Sequence, residues 1–343
     1  MIMRTTFIST ANMINSTRSS ILRLQSELTK GNKEITTGRY SDVGLELGYK
    51  TSTSVSLYSK LGTLQSLIDN NKVVGSTLET TQAVLNNAVS GTSSFLEILN
   101  GTQTVIDPNL LVAQASSALS DFYSGINTSS GGLYLFSGIN SDSPPLNDFD
   151  APGGLKEAIG TSFSTLIGSG SAGDISADDM KTFLDGDFAA LFSDANWGSW
   201  SDASSTNTKT QIGLSETATT SASANEPVFR NVIMAYSMIT ELDYPNLSAA
   251  AQQVVLDKAG KLFGSAISDF SHLEARLGAV QNRIDTSTEV LDNQKTLVKT
   301  QLNNIEGIDV AEAKTRVDTL TTQIEMSYSL TANIKNLSIL NYI

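Results

Sequence analysis

Apolar residues recur every seven positions along both halves of the chain. Phe270, Leu277, Ile284, Leu291, Val298 and Ile305 form one unbroken row. Leu273 and Val280 begin a second row at the three-residue offset, which Ser287, Gln294 and Gln301 continue with polar side chains. The first half carries a matching row of Leu57, Leu64, Asn71, Leu78, Leu85, Thr92 and Leu99, flanked by Leu61, Ile68, Val89 and Leu96. A heptad sustained this long predicts helices with one narrow apolar stripe packed on a partner. Roughly 50 residues at 1.5 Å each give a rod of about 75 Å.

The extreme ends repeat the pattern on a smaller scale. Ile14, Ile21, Leu28 and Ile35 stand seven apart, with Leu24 in the offset. Near the other end Val310, Val317 and Ile324 form one row and Ala313, Leu320, Ser327 and Ile334 another, widened by Leu330, Leu337 and Leu340. Each is an amphipathic helix with too little apolar surface to stand alone, since isolated helices are marginal in water. They need partners: each other, the rest of the chain, or other subunits.

Proline divides the chain in the same way. All six (Pro108, Pro144, Pro145, Pro152, Pro227, Pro245) lie in the middle, leaving 1–107 and 246–343 without one. In a helix interior each would cost about 3 kcal/mol. The reading is a first helix from about Ser9 to Thr37, a glycine-rich loop, a long helix from Thr53 to Asn100, and a shorter one from Asn109 to Thr128. Leu133–Asn140 (LYLFSGIN) reads as strand then turn. Residues 141–224, broken by Pro144-Pro145, Gly153-Gly154 and the GSGSAG run, read as a small β-rich or mixed insert with one helix near Ala177–Leu184. Pro227 opens a helix through Leu242. From Ser248 the chain is helical to about Ile305, pauses at Gly307, and resumes. The fold class is mainly α, a long-helix coiled-coil rod formed by both chain ends with a small outward domain inserted in the middle.

Composition narrows the chemistry. The formal net charge is −13, against the basic stripe that nucleic acid requires. Twelve acidic residues and three lysines fall within 141–224, as expected of a solvated, outward-facing insert. There is no cysteine and one histidine, His272, so neither a thiol site, a multi-histidine metal site nor a triad is expected. The apolar residues of 1–30 are always interrupted by polar ones, so no Sec-type signal peptide is expected, and no run approaches the roughly 20 residues that span a membrane.

Two motifs invite a ligand and neither holds. Gly168–Gly173 (GSGSAG) matches the dinucleotide fingerprint, with Phe163–Ile167 as the candidate preceding strand. The Asp174-Ile175-Ser176 that follows is a poor helix opening for a pyrophosphate, and no parallel-sheet pattern follows. Asp174, Asp178, Asp179, Asp185 and Asp187 lack the alternating spacing of an EF-hand loop and read as a solvated acidic face. The Asn-x-Ser/Thr sites at Asn127 and Asn246 are cheap matches in a chain rich in these residues. No catalytic, cofactor or metal residue is assigned.

Taken together, the heptad ends, the Thr36-Thr37-Gly38-Arg39 junction and the variable middle resemble the flagellin superfamily. Leu133–Leu146 (LYLFSGINSDSPPL) resembles the Tyr-Leu-Phe-x-Gly…Pro-Pro segment of the third hook-associated protein family, and Leu337–Ile343 resembles that family's C-terminus. Leu24–Gly44 is most similar to the alphaproteobacterial branch, although Ser41-Asp42-Val43-Gly44 replaces the family's Asp-Asp-Pro element. The resemblance implies a secreted, non-enzymatic structural protein at the hook–filament junction, exported through the flagellar type III route by an uncleaved N-terminal signal. It implies self-association in a ring and contacts with the first hook-associated protein, flagellin, the export apparatus and an export chaperone. It also implies three regions: terminal assembly segments (1–42 with 304–343), a helical second layer (43–140 with 225–303) and an outward insert (141–224). The residues assigned to the assembly face are Ile14, Ile21, Leu24, Leu28, Ile35, Val317, Leu320, Ile324, Ile334 and Leu337. Flagellin itself is the nearest alternative. An adhesin or secreted enzyme carried by the insert, or a phage tail or needle component, are more distant ones.

Overall fold

The computed structural model describes residues 10–101 and 107–336. Along the chain these form α1 (Thr10–Thr37), α2 (Val43–Leu47), α3 (Thr51–Gly101), α4 (Pro108–Ile126), a two-residue hairpin β1 (Ser129–Ser130) with β2 (Leu133–Tyr134), then α5 (Leu155–Ile167), α6 (Ala177–Asp185), α7 (Asp187–Leu191) and α8 (Asp194–Trp197). A second antiparallel hairpin, β3 (Lys209–Gln211) with β4 (Thr217–Thr219), precedes α9 (Pro227–Thr240), α10 (Ala249–Glu306) and α11 (Val310–Asn336). Each proline-free end contains one very long helix: α3 has 51 residues and α10 has 58.

Local chemistry sets the boundaries. α1 ends where Gly38 adopts φ 68°, a conformation that favours glycine. α4 opens on Pro108 at its first turn, with the Asp107 carboxylate accepting the Asn109 amide at 2.9 Å. α11 opens on Asp309, whose carboxylate accepts from the amides of Ala311 (2.8 Å) and Glu312 (3.2 Å).

The described chain forms two compact units, residues 1–65 with 292–343 and residues 66–291. The core of the second is built from α3, α4, α9 and α10. Val228, Phe229 and every residue from Val232 to Ile239 of α9 are buried, so this helix is enclosed on all faces, as its largely apolar sequence requires. Phe95, Tyr236 and Phe263 meet edge-on with centroids 4.7–5.5 Å apart. Phe229 bridges to Phe136 at 5.4 Å and Phe270 at 5.6 Å. The heptad rows supply this core: Leu78, Leu85, Phe270, Leu277 and Ile284 are all buried.

Residues 141–224 are mixed, with helix outweighing strand. α5 to α8 account for most of the ordered structure, and the strands are one three-residue hairpin. The difference from a β-rich expectation is physical: Phe163, Phe183, Phe188, Phe192 and Trp197 stack in succession at 5.3–6.3 Å, and short helices present them to one interior. That interior is continuous with the core of α4 and α9. Phe163–Ile167 is helical and not a strand, which removes the first element of the dinucleotide fingerprint. The Asp174 carboxylate folds back to accept from the Ser171 amide and hydroxyl at 2.9 and 2.7 Å. LYLFSGIN is strand only at Leu133–Tyr134. Leu135 and Phe136 then turn inward and are buried, because they close the core over Phe229.

Two of the polar gaps in the heptads, Asn71 and Ser287, mark where the β3–β4 hairpin docks. Asn71 donates to the Ile212 carbonyl at 2.9 Å and to the Thr288 hydroxyl at 3.0 Å, and Ser287 donates to the same carbonyl at 2.8 Å. Leucine at either heptad position would leave that buried carbonyl without one of its donors.

Candidate assembly interface

In the first unit α1 and α11 pack side by side. Gln25 donates to the Tyr328 hydroxyl at 2.9 Å, Arg316 to the Glu34 carboxylate at 3.1 Å, and Arg39 pairs with Gly307 as an isolated antiparallel bridge. Rising numbers in α1 meet falling numbers in α11, so the pair is antiparallel. The two amphipathic ends cover each other within one chain.

The residues assigned to this face separate into three groups. Ile21, Leu320 and Ile324 are buried, together with Ala313 of the same stripe. Ile14, Leu24, Leu28, Ile35 and Val317 are half-buried, the state of a stripe covered on one side by a single partner helix. Ile334 lies in α11 with its side chain outside the described residues, and Leu337 lies outside them altogether, as does the Leu337–Ile343 motif. Val310 and Leu330 stand away from the seam at 46% and 53% exposure.

Gly31 stands seven residues beyond Leu24, in the same row, and was not singled out by its sequence. A Cβ there would fall 2.6 Å from Val317 Cγ2. The row keeps its period and changes to the smallest residue where Val317 of the opposite helix leaves no room for a Cβ.

Beyond Gly31 the seam becomes polar. Glu34 is 7% exposed: one carboxylate oxygen accepts from the Ser41 amide at 3.2 Å and the other from Arg316. Glu306, the last residue of α10, is 1% exposed. Its carboxylate accepts from the hydroxyls of Ser54 and of Tyr58 (2.8 Å), with the Arg39 guanidinium 3.5 Å away. Burial, together with the Glu306 carboxylate, raises the Tyr58 phenol above its ordinary value. The signal for these two glutamates was slight: each is a charge beside an apolar heptad residue, Ile35 or Ile305.

In the second unit, two clefts of about 600 and 610 Å³ are lined respectively by Leu96, Gln253 and Lys261 among others, and by Tyr123, Asp148, Asp150, Lys156 and Glu241 among others. Neither sets a nucleophile against a base. The Lys156 ammonium is held by Asp150 at 2.6 Å, and burial raises the Tyr123 phenol. His272 is exposed on α10. Among the described residues no group of three His, Asp or Glu side chains is placed to hold a metal ion, and no helix is long and apolar enough to cross a membrane.

Comparison with known proteins gives the same architecture. Residues 8–141 match the bacterial flagellin N-terminal helical region and residues 261–343 the bacterial flagellin C-terminal helical region, together more than half of the chain. A solved structure from Vibrio parahaemolyticus, of a protein provisionally assigned as flagellar hook-associated, superposes with a TM-score of 0.50 at 15% identity. It covers 75% of this chain and 97% of its own. No curated protein matches the chain.

Proposed function

We propose, from the premise that this chain belongs to the flagellin superfamily and is a structural, non-enzymatic protein of the bacterial flagellum, that it is the adaptor at the hook–filament junction on which the filament assembles. One observation carries the finer reading. The Leu133–Leu146 segment, whose motif resembles that of junction proteins, is a structural keystone and not a variable loop. Phe136 and Leu146 are buried, and Asn127 clamps Leu146 through both its amide atoms at 2.9 and 3.0 Å. The motif is therefore part of the core that shapes the subunit.

In this reading copies associate in a ring, with the first hook-associated protein below and flagellin above. The apolar rows from Ile14 to Ile35 and from Val317 to Leu337 form the assembly face. The interface is head-to-tail, the arrangement that stacks copies helically. Delivery runs through the flagellar export apparatus with an export chaperone. A second reading, flagellin itself, is favoured by the two matched regions, both of which are described for flagellin.

Sheared, purified flagella separate the two. Quantitative mass spectrometry and immunogold labelling should find the protein in far lower copy than the filament protein, in one narrow band at the hook–filament boundary. Labelling along the whole filament would make it a flagellin instead.

A further inference from the structure

The crossing between the terminal helix pair and the ends of α3 and α10 is held by polar groups. From Gly38 to Thr51 no residue is buried, and α2 has no buried side chain at all. Apolar packing therefore does not fix this stretch. Hydrogen bonds do: Tyr40 N–H to the Glu306 carbonyl at 3.1 Å, Ile308 N–H to the Gly38 carbonyl at 3.2 Å, and Lys33 Nζ to the Ser41 carbonyl at 2.9 Å. α1 and α10 break at the same level, at Gly38 and Gly307, and the Arg39–Gly307 bridge ties the two breaks together.

The Glu306 carboxylate closes that joint. It gathers Ser54 and Tyr58, one turn apart on α3, and Arg39 from the loop after α1, while its own backbone belongs to the end of α10. The Arg39 guanidinium also donates to the Tyr58 hydroxyl, so the three partners are tied to one another. A buried charged group of this kind contributes little net stability compared with apolar packing. Its hydrogen bonds are directional, and a directional contact fixes an angle where an apolar one permits sliding.

We propose that the Glu306 network is a latch that sets the direction in which the α1–α11 pair leaves the α3 and α10 ends, and that opening it frees the pair as an intact unit. The latch acts at the junction or along the filament alike, so its failure leaves the question of location untouched.

The chain has no cysteine, so introduced cysteines take spin labels specifically. Labels at the exposed positions Arg23 and Lys60 report the direction of the pair, and labels at Ser26 and Thr322 report its integrity. In the full chain, Glu306→Gln should broaden the Arg23–Lys60 distance distribution and leave Ser26–Thr322 narrow. Two narrow distributions would overturn the latch, because the joint then holds without the carboxylate. Two broad ones would also overturn it, since Glu306 would then support the pair itself. Should Glu306→Gln not fold, Tyr58→Phe removes one donor and keeps the Arg39 pair, and should broaden Arg23–Lys60 to a smaller extent. An unchanged distribution in Tyr58→Phe would count against the latch.

Discussion

Gly31 of α1 faces Val317 of α11 so closely that a Cβ on the glycine would stand 2.6 Å from the valine Cγ2. Alanine at 31 gains about 1 kcal/mol of helix propensity, but the β-branched valine it meets has little rotamer freedom with which to yield. Leucine has no such balance. Gly31→Leu should loosen the pair by about 1–3 kcal/mol, the usual cost of overpacking. Hydrogen exchange should quicken along α1 and α11 and remain unchanged in α4 and α9. Adding Val317→Ala should restore part of the loss, and two effects that merely add would show that the contact is not the cause.

Leu320 is buried in the same seam. Leu320→Asp places a carboxylate in this buried apolar seam, a cost of several kcal/mol that a lone helix pair cannot absorb. The α1–α11 pair should open while the core around Phe95, Tyr236 and Phe263 keeps its near-ultraviolet circular dichroism. The variant should be made, remain soluble and fail to enter flagella. Normal incorporation would remove the assembly role assigned to this face.

Asn71 looks like a defect in a leucine row. It holds the Ile212 carbonyl and the Thr288 hydroxyl, yet its own Oδ1 is buried with no partner. Asn71→Leu removes that unpaired oxygen and also one donor to Ile212, leaving Ser287 as the other. The two effects offset, and the single variant should lose no more than about 1 kcal/mol. Asn71→Leu with Ser287→Ala strips both donors, and should cost about 1–3 kcal/mol more than the single change. Urea unfolding of the three proteins checks this, and exchange at the β3–β4 hairpin should rise only in the double variant.

These residues show how far the sequence could be read. Period and proline placement were enough for α1, α3, α10 and α11, because a narrow stripe over many turns admits few alternatives. The same rows contained their own exceptions. Asn71, Ser287 and Gly31 sit in register, and each is explained only by what it meets: a hairpin carbonyl 141 or 75 residues away, or a side chain of the opposite helix. The Glu306 joint was illegible for a related reason. Its donors Arg39, Ser54 and Tyr58 are far from it in sequence, and although Arg39 ends the Thr36–Arg39 junction motif, nothing in that motif points to Glu306. The insert reads as β-rich or mixed and is mixed; its share of helix was not legible because glycine, proline and tryptophan punctuate short helices as readily as strands, and only tertiary packing of Phe163 through Trp197 decides between them.

Glu274 of α10 gives a prediction with a defined pH dependence. Its Oε1 is buried without a hydrogen-bond partner, and burial raises its pKa above the ordinary glutamate value. The raised value means that the folded chain binds the proton more tightly than the unfolded chain does. By linkage the associated stability is complete below the unfolded-state pKa and is lost as pH rises through the folded-state value. At neutral pH the folded protein therefore carries a penalty for the ionised form. Glu274→Gln keeps the shape and removes the charge, so the variant should melt higher than the parent at pH 7. The gap should close as pH falls through the carboxylate range, where the parent becomes neutral at this position. Parallel thermal melts from pH 7 down to pH 4 measure both parts. A gap that stays constant with pH would assign the effect to packing and not to the buried charge.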